Sequence, residues 1–152
     1  LSISCFMIYY IVLFVKLTPY QYTYINKFNG DFSKAHEKFE NDYWAISIKE
    51  LVKKISYKKE LLVDEKTFKI IFCGLPNRLV QKELNKLKNF KYEVMSTDSI
   101  DYDFVLMTNR IDFKSNDMSI YEAKTCFKKF KGKDIVSVKR NGLMLSTLRK
   151  KL

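Results

Sequence analysis

The sequence is poor in the residues that build metal and redox centres. It contains one histidine, His36, and three cysteines, Cys5, Cys73 and Cys126, and no two cysteines have C-x-x-C spacing. An odd number of cysteines without that spacing indicates neither a zinc site nor a disulfide framework. A bond between Cys73 and Cys126 would require that the domain face an oxidising compartment. The interpretation that we favour is that both are unpaired cysteines, buried as small apolar residues.

Catalytic motifs are missing as well. There is no G-x-S-x-G elbow, no H-E-x-x-H helix and no cysteine–histidine pairing. Gly74 follows a predicted strand but lacks the further glycines of a G-x-G-x-x-G phosphate loop. Asp101 and Asp103 stand at alternating positions, and we interpret them as exposed turn acids rather than as paired catalytic carboxylates. On motif evidence, the part of the chain after the N-terminal apolar run is not an enzyme.

Arginine is scarce in this strongly basic chain. The net charge is +11, yet 24 of the 28 basic residues are lysine and only four are arginine. Arginine is the residue best suited to bidentate contacts with phosphates and bases. The composition therefore argues against nucleic acid as a partner. It predicts a solvated basic surface with a weak attraction to anionic lipid headgroups.

The longest uncharged run stands at the N-terminus. Residues 1–15 carry no charge, but a membrane-spanning helix needs about 20 apolar residues. We expect residues 1–16 to be the end of a transmembrane helix cut by a fragment boundary, because the chain begins with Leu rather than Met. The alternatives are a buried core helix and a signal-peptide core, which would need a basic segment before it and a cleavage site after it.

Aromatic residues are concentrated in residues 17–45. They are Tyr20, Tyr22, Tyr24, Phe28, Phe32, Phe39, Tyr43 and Trp44. This density is typical of a segment at a membrane–water interface, where a ring buries its apolar body and keeps a polar tip wet. Within it, residues 39–44 allow two interpretations. In the first, the aromatic and acidic side chains of residues 39–44 contact a lipid-linked sugar. In the second, which we favour, the aromatic rings anchor these residues on the sheet while Asp42 hydrogen-bonds a neighbour.

Residues 46–152 alternate between helix and strand patterns. The predicted helices cover 48–58 and 76–88, and the predicted strands cover 68–73, 92–95, 102–107, 134–139 and 143–148. Ser47 with Glu50 matches a capping box before the first helix, and Asn141-Gly142 matches a two-residue hairpin turn. The pattern predicts a small α/β domain with a mixed sheet, consisting of a parallel core and a C-terminal β-hairpin.

Several motifs resemble a known family. They are P-Y-Q-Y-x-Y-x-N from Pro19, F-E-x-D-Y-W ending at Trp44, the run Thr108-Asn109-Arg110, and a closing V-x-R-x-G-x-x-L from Val138. Together they resemble the C-terminal end of protein mannosyltransferase-like (family 39-type) integral-membrane glycosyltransferases. Ala45 departs from that pattern, since many relatives carry glycine there. The candidate interface or sugar-contact residues are Pro19, Tyr20, Tyr22, Asn26, Phe39, Glu40, Asp42, Tyr43 and Trp44.

The resemblance implies a parent enzyme that transfers a sugar from a polyprenyl-phosphate donor to a protein, lipid or glycan acceptor. Its catalytic carboxylate lies in the first extracytoplasmic loop, so no catalytic residue can be assigned to this chain, and we expect no cofactor or metal in it. The implied partners are membrane lipid, the remaining transmembrane portion of the parent, and a glycan or protein acceptor. The implied location is the inner (cytoplasmic) membrane, with residues 17–152 on the periplasmic side in a structural or acceptor-recognition role.

Two other functions stay open on the sequence. One is a membrane-anchored, non-catalytic binding or scaffold module, which a single upstream helix would favour. The other is a nucleotide-binding α/β domain, which stabilisation by nucleotides would reveal.

Overall fold

The chain follows the predicted alternation of helices and strands. The computed structural model describes residues 2–19, 42, 45–62, 66–110, 125–140 and 142–152. The helices are α1 (Ser2–Leu17), α2 (Ile48–Ile55), α3 (Asn77–Leu84) and α4 (Cys126–Lys129), with a short 3-10 helix at Lys59–Leu61. The strands are β1 (Thr67–Cys73), β2 (Lys91–Met95), β3 (Phe104–Thr108), β4 (Lys133–Arg140) and β5 (Leu143–Lys150). The predicted α/β class is confirmed.

The strands of the described residues form one mixed sheet of five strands in the order β2-β1-β3-β5-β4. Strand β1 pairs in parallel with β2 and β3, whereas β5 pairs antiparallel with β3 and β4. Gly142 in the β4–β5 turn has a φ of 84°, a left-handed conformation that glycine adopts without steric cost. The predicted parallel core and C-terminal hairpin are both confirmed.

Helices α2 and α3 cover one face of the sheet. The apolar stripe of α2 consists of Ile48, Leu51, Val52 and Ile55, and all four side chains are buried. This i, i+3, i+4, i+7 spacing places them on one side of the helix, against the sheet. Val80 and Leu84 of α3 are fully buried in the same core.

The opposite face is covered by α4, which a disulfide between Cys73 and Cys126 joins to the end of β1. Both cysteines are buried beside Met107 and Phe130. The expectation that these cysteines are unpaired was wrong. The fold brings them together because the backbone N–H of Cys126 donates to the carbonyl of Arg110, just after β3.

The boundaries of α2 and α3 differ from the prediction. Both helices end about one turn early, at Ile55 and Leu84, where i to i+3 hydrogen bonds from Lys58 and Leu87 replace the helical pattern. The predicted capping box at Ser47 was also wrong. Ser47 has helical dihedral angles and makes no cap hydrogen bond with its own side chain.

Helix α1 is apolar on every side and exposed along most of its length. Its exposed side chains include Ile3, Phe6, Ile8, Ile11 and Phe14, whereas Leu17 at its end is buried. Its 16 residues correspond to about 24 Å of helix. Across the described ranges, no helix combines the length and the apolar character that crossing a membrane requires. The assignment of residues 1–16 to a membrane stays a prediction.

Candidate functional site

One end of the sheet gathers several residues of the family-like motifs. Strand β3 ends at Thr108, which lies opposite Ser146 of β5, so the β4–β5 turn projects beyond this end of the sheet. The end of α1 lies at the same place, because Nε of Arg140 donates to the Thr18 carbonyl oxygen at 3.4 Å. We call this region the junction site and define it as Thr18, Asp42, Ser47, Glu50, Arg140 and Ser146.

Asp42 is the buried carboxylate of the junction site, with 1% of its surface exposed. Its Oδ1 accepts a hydrogen bond from the Ile46 N–H at 2.9 Å, and its Oδ2 accepts from the N–H of Ser47 at 3.1 Å and from the Ser47 hydroxyl. Both donor residues lie immediately before α2, at the helix N-terminus, where a negative charge is favourable. The prediction that Asp42 hydrogen-bonds a neighbour is confirmed.

Ser47 extends this network to the sheet. Its hydroxyl oxygen lies 2.6 Å from that of Ser146 in β5, and both residues are fully buried. Because the hydroxyl of Ser47 also bonds Asp42, one short chain of polar groups joins the start of α2 to the hairpin. A buried polar chain whose members are mutually hydrogen-bonded fixes a single relative position of the elements that it connects.

Ala45 adopts an unusual backbone conformation beside Asp42. Its φ is 55° and only 1% of its surface is exposed. Left-handed dihedral angles are disfavoured for residues with a Cβ and are natural for glycine. The glycine that the family pattern places at this position would therefore suit the local backbone.

Arg140 connects the end of α1, helix α2 and the hairpin. Its Nη1 donates to Glu50 Oε1 at 3.2 Å, and its Nη2 donates to Glu50 Oε2. The same glutamate lies 3.2 Å from the Lys54 ammonium, which also donates to the Ser137 carbonyl oxygen. Bidentate arginine–carboxylate pairs fix geometry as well as charge, so this pair sets the angle at which the hairpin meets α2.

We expect a double-mutant cycle to detect the Arg140–Glu50 pair. Both side chains are about three-quarters buried, with 23% and 24% exposed. The coupling energy between Arg140→Gln and Glu50→Gln should therefore be about 1 kcal/mol, which is at the upper end of the range of coupling energies measured for exposed ion pairs. The measurement is chemical denaturation of wild type, both single variants and the double variant. Additive single effects would contradict the coupling.

The carboxyl ends of the parallel strands lie next to the junction site. Ligands in open α/β sheets bind at such an edge. Here Thr108 Oγ1 donates to the Gly74 carbonyl oxygen at 2.8 Å. A Cβ on Gly74, whose φ is +68°, would lie 2.8 Å from Cβ of Arg110 and 3.1 Å from Sγ of Cys126. Close packing and backbone conformation therefore explain this glycine without a phosphate loop.

Asp101 and Asp103 do not form a carboxylate pair. Asp103 Oδ2 accepts from the Lys69 backbone N–H at 3.0 Å, whereas the exposed Asp101 carboxylate bonds the Lys69 ammonium. The hydrogen bond from Lys69 and its positive charge hold the pKa of Asp101 below its ordinary value, and Asp101 in turn raises the pKa of Lys69. Asp101 is exposed, as predicted, whereas the prediction was wrong for Asp103, which is part-buried because its carboxylate accepts the Lys69 N–H.

Replacing Lys69 with Met should raise the pKa of Asp101 towards its ordinary value. In the folded wild type this pKa is lowered, so the pair's contribution to stability is present above the unfolded-state pKa and is lost as the pH falls through the folded-state pKa. Carboxyl-carbon NMR titration below pH 7 measures the shift, with Lys82→Met as the matched control on α3. An unchanged pKa of Asp101 in Lys69→Met would contradict the pairing.

Only part of the predicted site falls on described residues. Pro19 and Asp42 are described, whereas Tyr20, Tyr22, Asn26, Phe39, Glu40, Tyr43 and Trp44 lie outside the described residues. Their contacts with membrane or sugar stay predictions. The closing motif of the sequence indicated Arg140, whereas no sequence pattern predicted the hydrogen bond between Ser47 and Ser146.

Within the described part of the chain, no group of three or more His, Cys, Asp or Glu side chains is placed to hold a metal ion. The resemblance to membrane glycosyltransferases rests on the motifs of this chain, since comparisons with protein-family models, curated proteins and solved structures find no match to it.

Proposed function

We propose that the chain is the C-terminal part of a polytopic membrane glycosyltransferase that takes its sugar from a polyprenyl-phosphate donor. In this proposal α1 is the end of the last membrane helix and residues 46–152 form an extracytoplasmic domain. The observation that carries the proposal is the junction site, where Asp42 and Arg140, which come from two separate motifs, lie at one end of the sheet and Arg140 contacts the end of the apolar helix. Thr18 and Arg140 stand 122 residues apart and are in hydrogen-bond contact.

The surface of α1 supports a membrane setting for that helix. A helix that is apolar all round is normally buried in protein or in lipid, and the described domain covers only its end, at Leu17. Lys16 is the only charged residue of α1 and lies in its last turn. The change from apolar helix to charged junction site is the change expected where a chain leaves a bilayer.

The disulfide supports an extracytoplasmic setting for the domain. Structural disulfides persist in the periplasm and outside cells and are rare in the reducing cytoplasm. Cys73 and Cys126 join two buried elements of one core, so this disulfide belongs to the folded domain. A strongly basic domain is compatible with export, because long domains cross the membrane largely regardless of their charge.

The domain's own role in this proposal is to hold a fixed position against the membrane helix. Arg140 connects the hairpin to the end of α1 through Thr18 and to α2 through Glu50, and the Asp42 network connects the start of α2 to the hairpin. The carboxylate that performs sugar transfer belongs to another part of the parent enzyme.

Sequencing the coding region upstream of Leu1 tests the proposal. We expect about ten further apolar spans, each about 20 residues long, with an acidic residue in the first outside loop. In the intact enzyme, Arg140→Ala should then reduce sugar transfer from a polyprenyl-phosphate donor, while Lys82→Met leaves it unchanged. A start codon giving one lone helix would instead favour a membrane-anchored binding module without catalytic activity.

A further inference from the structure

A pocket lies at the end of the sheet opposite the junction site. Its volume is about 470 Å³, and its floor includes Phe68, Phe104 and Ile135. It stands where β1 and β3 begin, and where β4 begins and β5 ends. The length of the hairpin, about 23 Å over seven residue steps, separates it from Arg140. We call it the distal pocket.

The rim of the distal pocket contains a pair of like charges that the fold places together. Lys133 and Lys150 lie directly opposite each other in the β4–β5 register, and both line the pocket. Like charges directly opposite on neighbouring strands are destabilising. The next pair in the register is complementary, since Asp134 and Arg149 form an ion pair at 2.7 Å. Among the described residues, neither Lys133 nor Lys150 takes part in an ion pair.

Among the described residues, the acidic side chains that line the pocket, Glu60 and Asp103, form no ion pair with Lys133 or Lys150. Asp103 lies 3.7 Å from Lys66 and accepts the backbone N–H of Lys69, so its charge is already engaged. Glu60 is exposed and lines the same pocket. Lys66 itself stands 5.1 Å from the centre of the Phe68 ring, which adds a further cation above the apolar floor.

We propose that the distal pocket binds a phosphate monoester. Two lysines without ion-pair partners match the charge of a phosphate monoester, which carries between 1.5 and 2 negative charges near neutral pH. Its oxygens accept charge-assisted hydrogen bonds from both ammonium groups. The aromatic and aliphatic floor contacts the organic part of the ligand. The proposal is independent of the proposed function, because no residue of the junction site contributes to this pocket.

Titration of the full chain in non-ionic detergent tests the proposal, with inorganic phosphate and phenyl phosphate as probes. We expect saturable NMR shifts of the side chains of Lys133 and Lys150, with phenyl phosphate binding more tightly because its ring contacts the floor. Lys133→Gln and Lys150→Gln should each weaken binding about tenfold, the loss of one charge-assisted hydrogen bond. The control is Lys139→Gln, an exposed lysine at the other end of the same hairpin, which should bind like wild type.

Two further variants sharpen the test. Glu60→Gln should tighten phosphate binding about twofold, because it removes a like charge from the rim. In phosphate-free buffer, Lys150→Gln should raise the thermal midpoint by relieving the lysine pair. At a given phosphate concentration, phosphate should then stabilise wild type more than the variant. Shifts that never saturate, or equal binding by wild type, Lys133→Gln and Lys150→Gln, would mean an adventitious ion only and would overturn the proposal.

Discussion

Removing the disulfide between Cys73 and Cys126 is expected to lower the free energy of unfolding by about 4 kcal/mol. The two cysteines are 53 residues apart, and the loop-entropy relation gives about 4 kcal/mol for a closed loop of this length. The measurement is chemical denaturation of Cys73→Ala/Cys126→Ala beside oxidised and reduced wild type. Reduced wild type loses only the bond, whereas the double variant also loses the packing of two buried sulfur atoms.

Cys5 provides the matched control for this experiment. It is a free, exposed cysteine on α1, so Cys5→Ala should leave the stability of the domain unchanged under both oxidising and reducing conditions. Hydrogen exchange adds a local readout. Reduction should expose the amides of α4 before those of β1, because α4 has only four residues and the disulfide holds its first residue, Cys126, to the end of β1. A loss below about 1 kcal/mol would show that the disulfide adds little to this fold.

Local patterns in the sequence predicted most of the elements of the fold. The apolar stripe of α2, the β-rich run of β1 and the hairpin turn at Gly142 are each contained in about ten neighbouring residues, and the structure has each of these elements where it was predicted. Such signals depend on helical or strand periodicity alone. The structure extends these elements or shortens them by up to one turn, which is where tertiary contacts decide a boundary.

The contacts that define the junction site depend instead on register. Ser47 meets Ser146 across 99 residues, and Glu50 meets Arg140 across 90. These pairs exist because β5 runs antiparallel to β3 and α2 packs on the hairpin, and no local pattern encodes either fact. The capping-box prediction failed for the same reason, since the buried Asp42 carboxylate competes successfully for the Ser47 side chain.

The disulfide between Cys73 and Cys126 was not predicted for a similar reason. Cysteines 53 residues apart with no spacing motif give no sequence signal for pairing. Their meeting requires that β1 and β3 be neighbours and that the start of α4 lie at the end of β3, where the Cys126 N–H bonds the Arg110 carbonyl. The sequence allowed a bond in an oxidising compartment, but only the topology places the two sulfur atoms together.

Replacing Asp42 with Ala is expected to lower the free energy of unfolding by about 3 kcal/mol. The carboxylate accepts hydrogen bonds from the N–H groups of Ile46 and Ser47 and from the Ser47 hydroxyl, all in a part-buried or buried setting. Leaving a buried donor unsatisfied costs about 1–3 kcal/mol. Asp42→Asn keeps one acceptor oxygen, so its loss should be smaller. Chemical denaturation of wild type, Asp42→Asn and Asp42→Ala measures the order of their free energies of unfolding.

The variant Ser146→Ala distinguishes two contributions to stability: the hydrogen bonds that Asp42 accepts at the start of α2, which we call the cap at Asp42, and the hydroxyl contact that joins Ser47 to the sheet. It removes only the hydroxyl pair between Ser47 and Ser146, so its loss should be about 1 kcal/mol and the cap at Asp42 should persist. Hydrogen exchange distinguishes the two effects: Asp42→Ala should increase exchange of the Ile46 and Ser47 amides, whereas Ser146→Ala should not. Equal losses of stability with unchanged exchange in both variants would mean that Asp42 merely fills space, and the junction site would then depend on Arg140 and Glu50 alone.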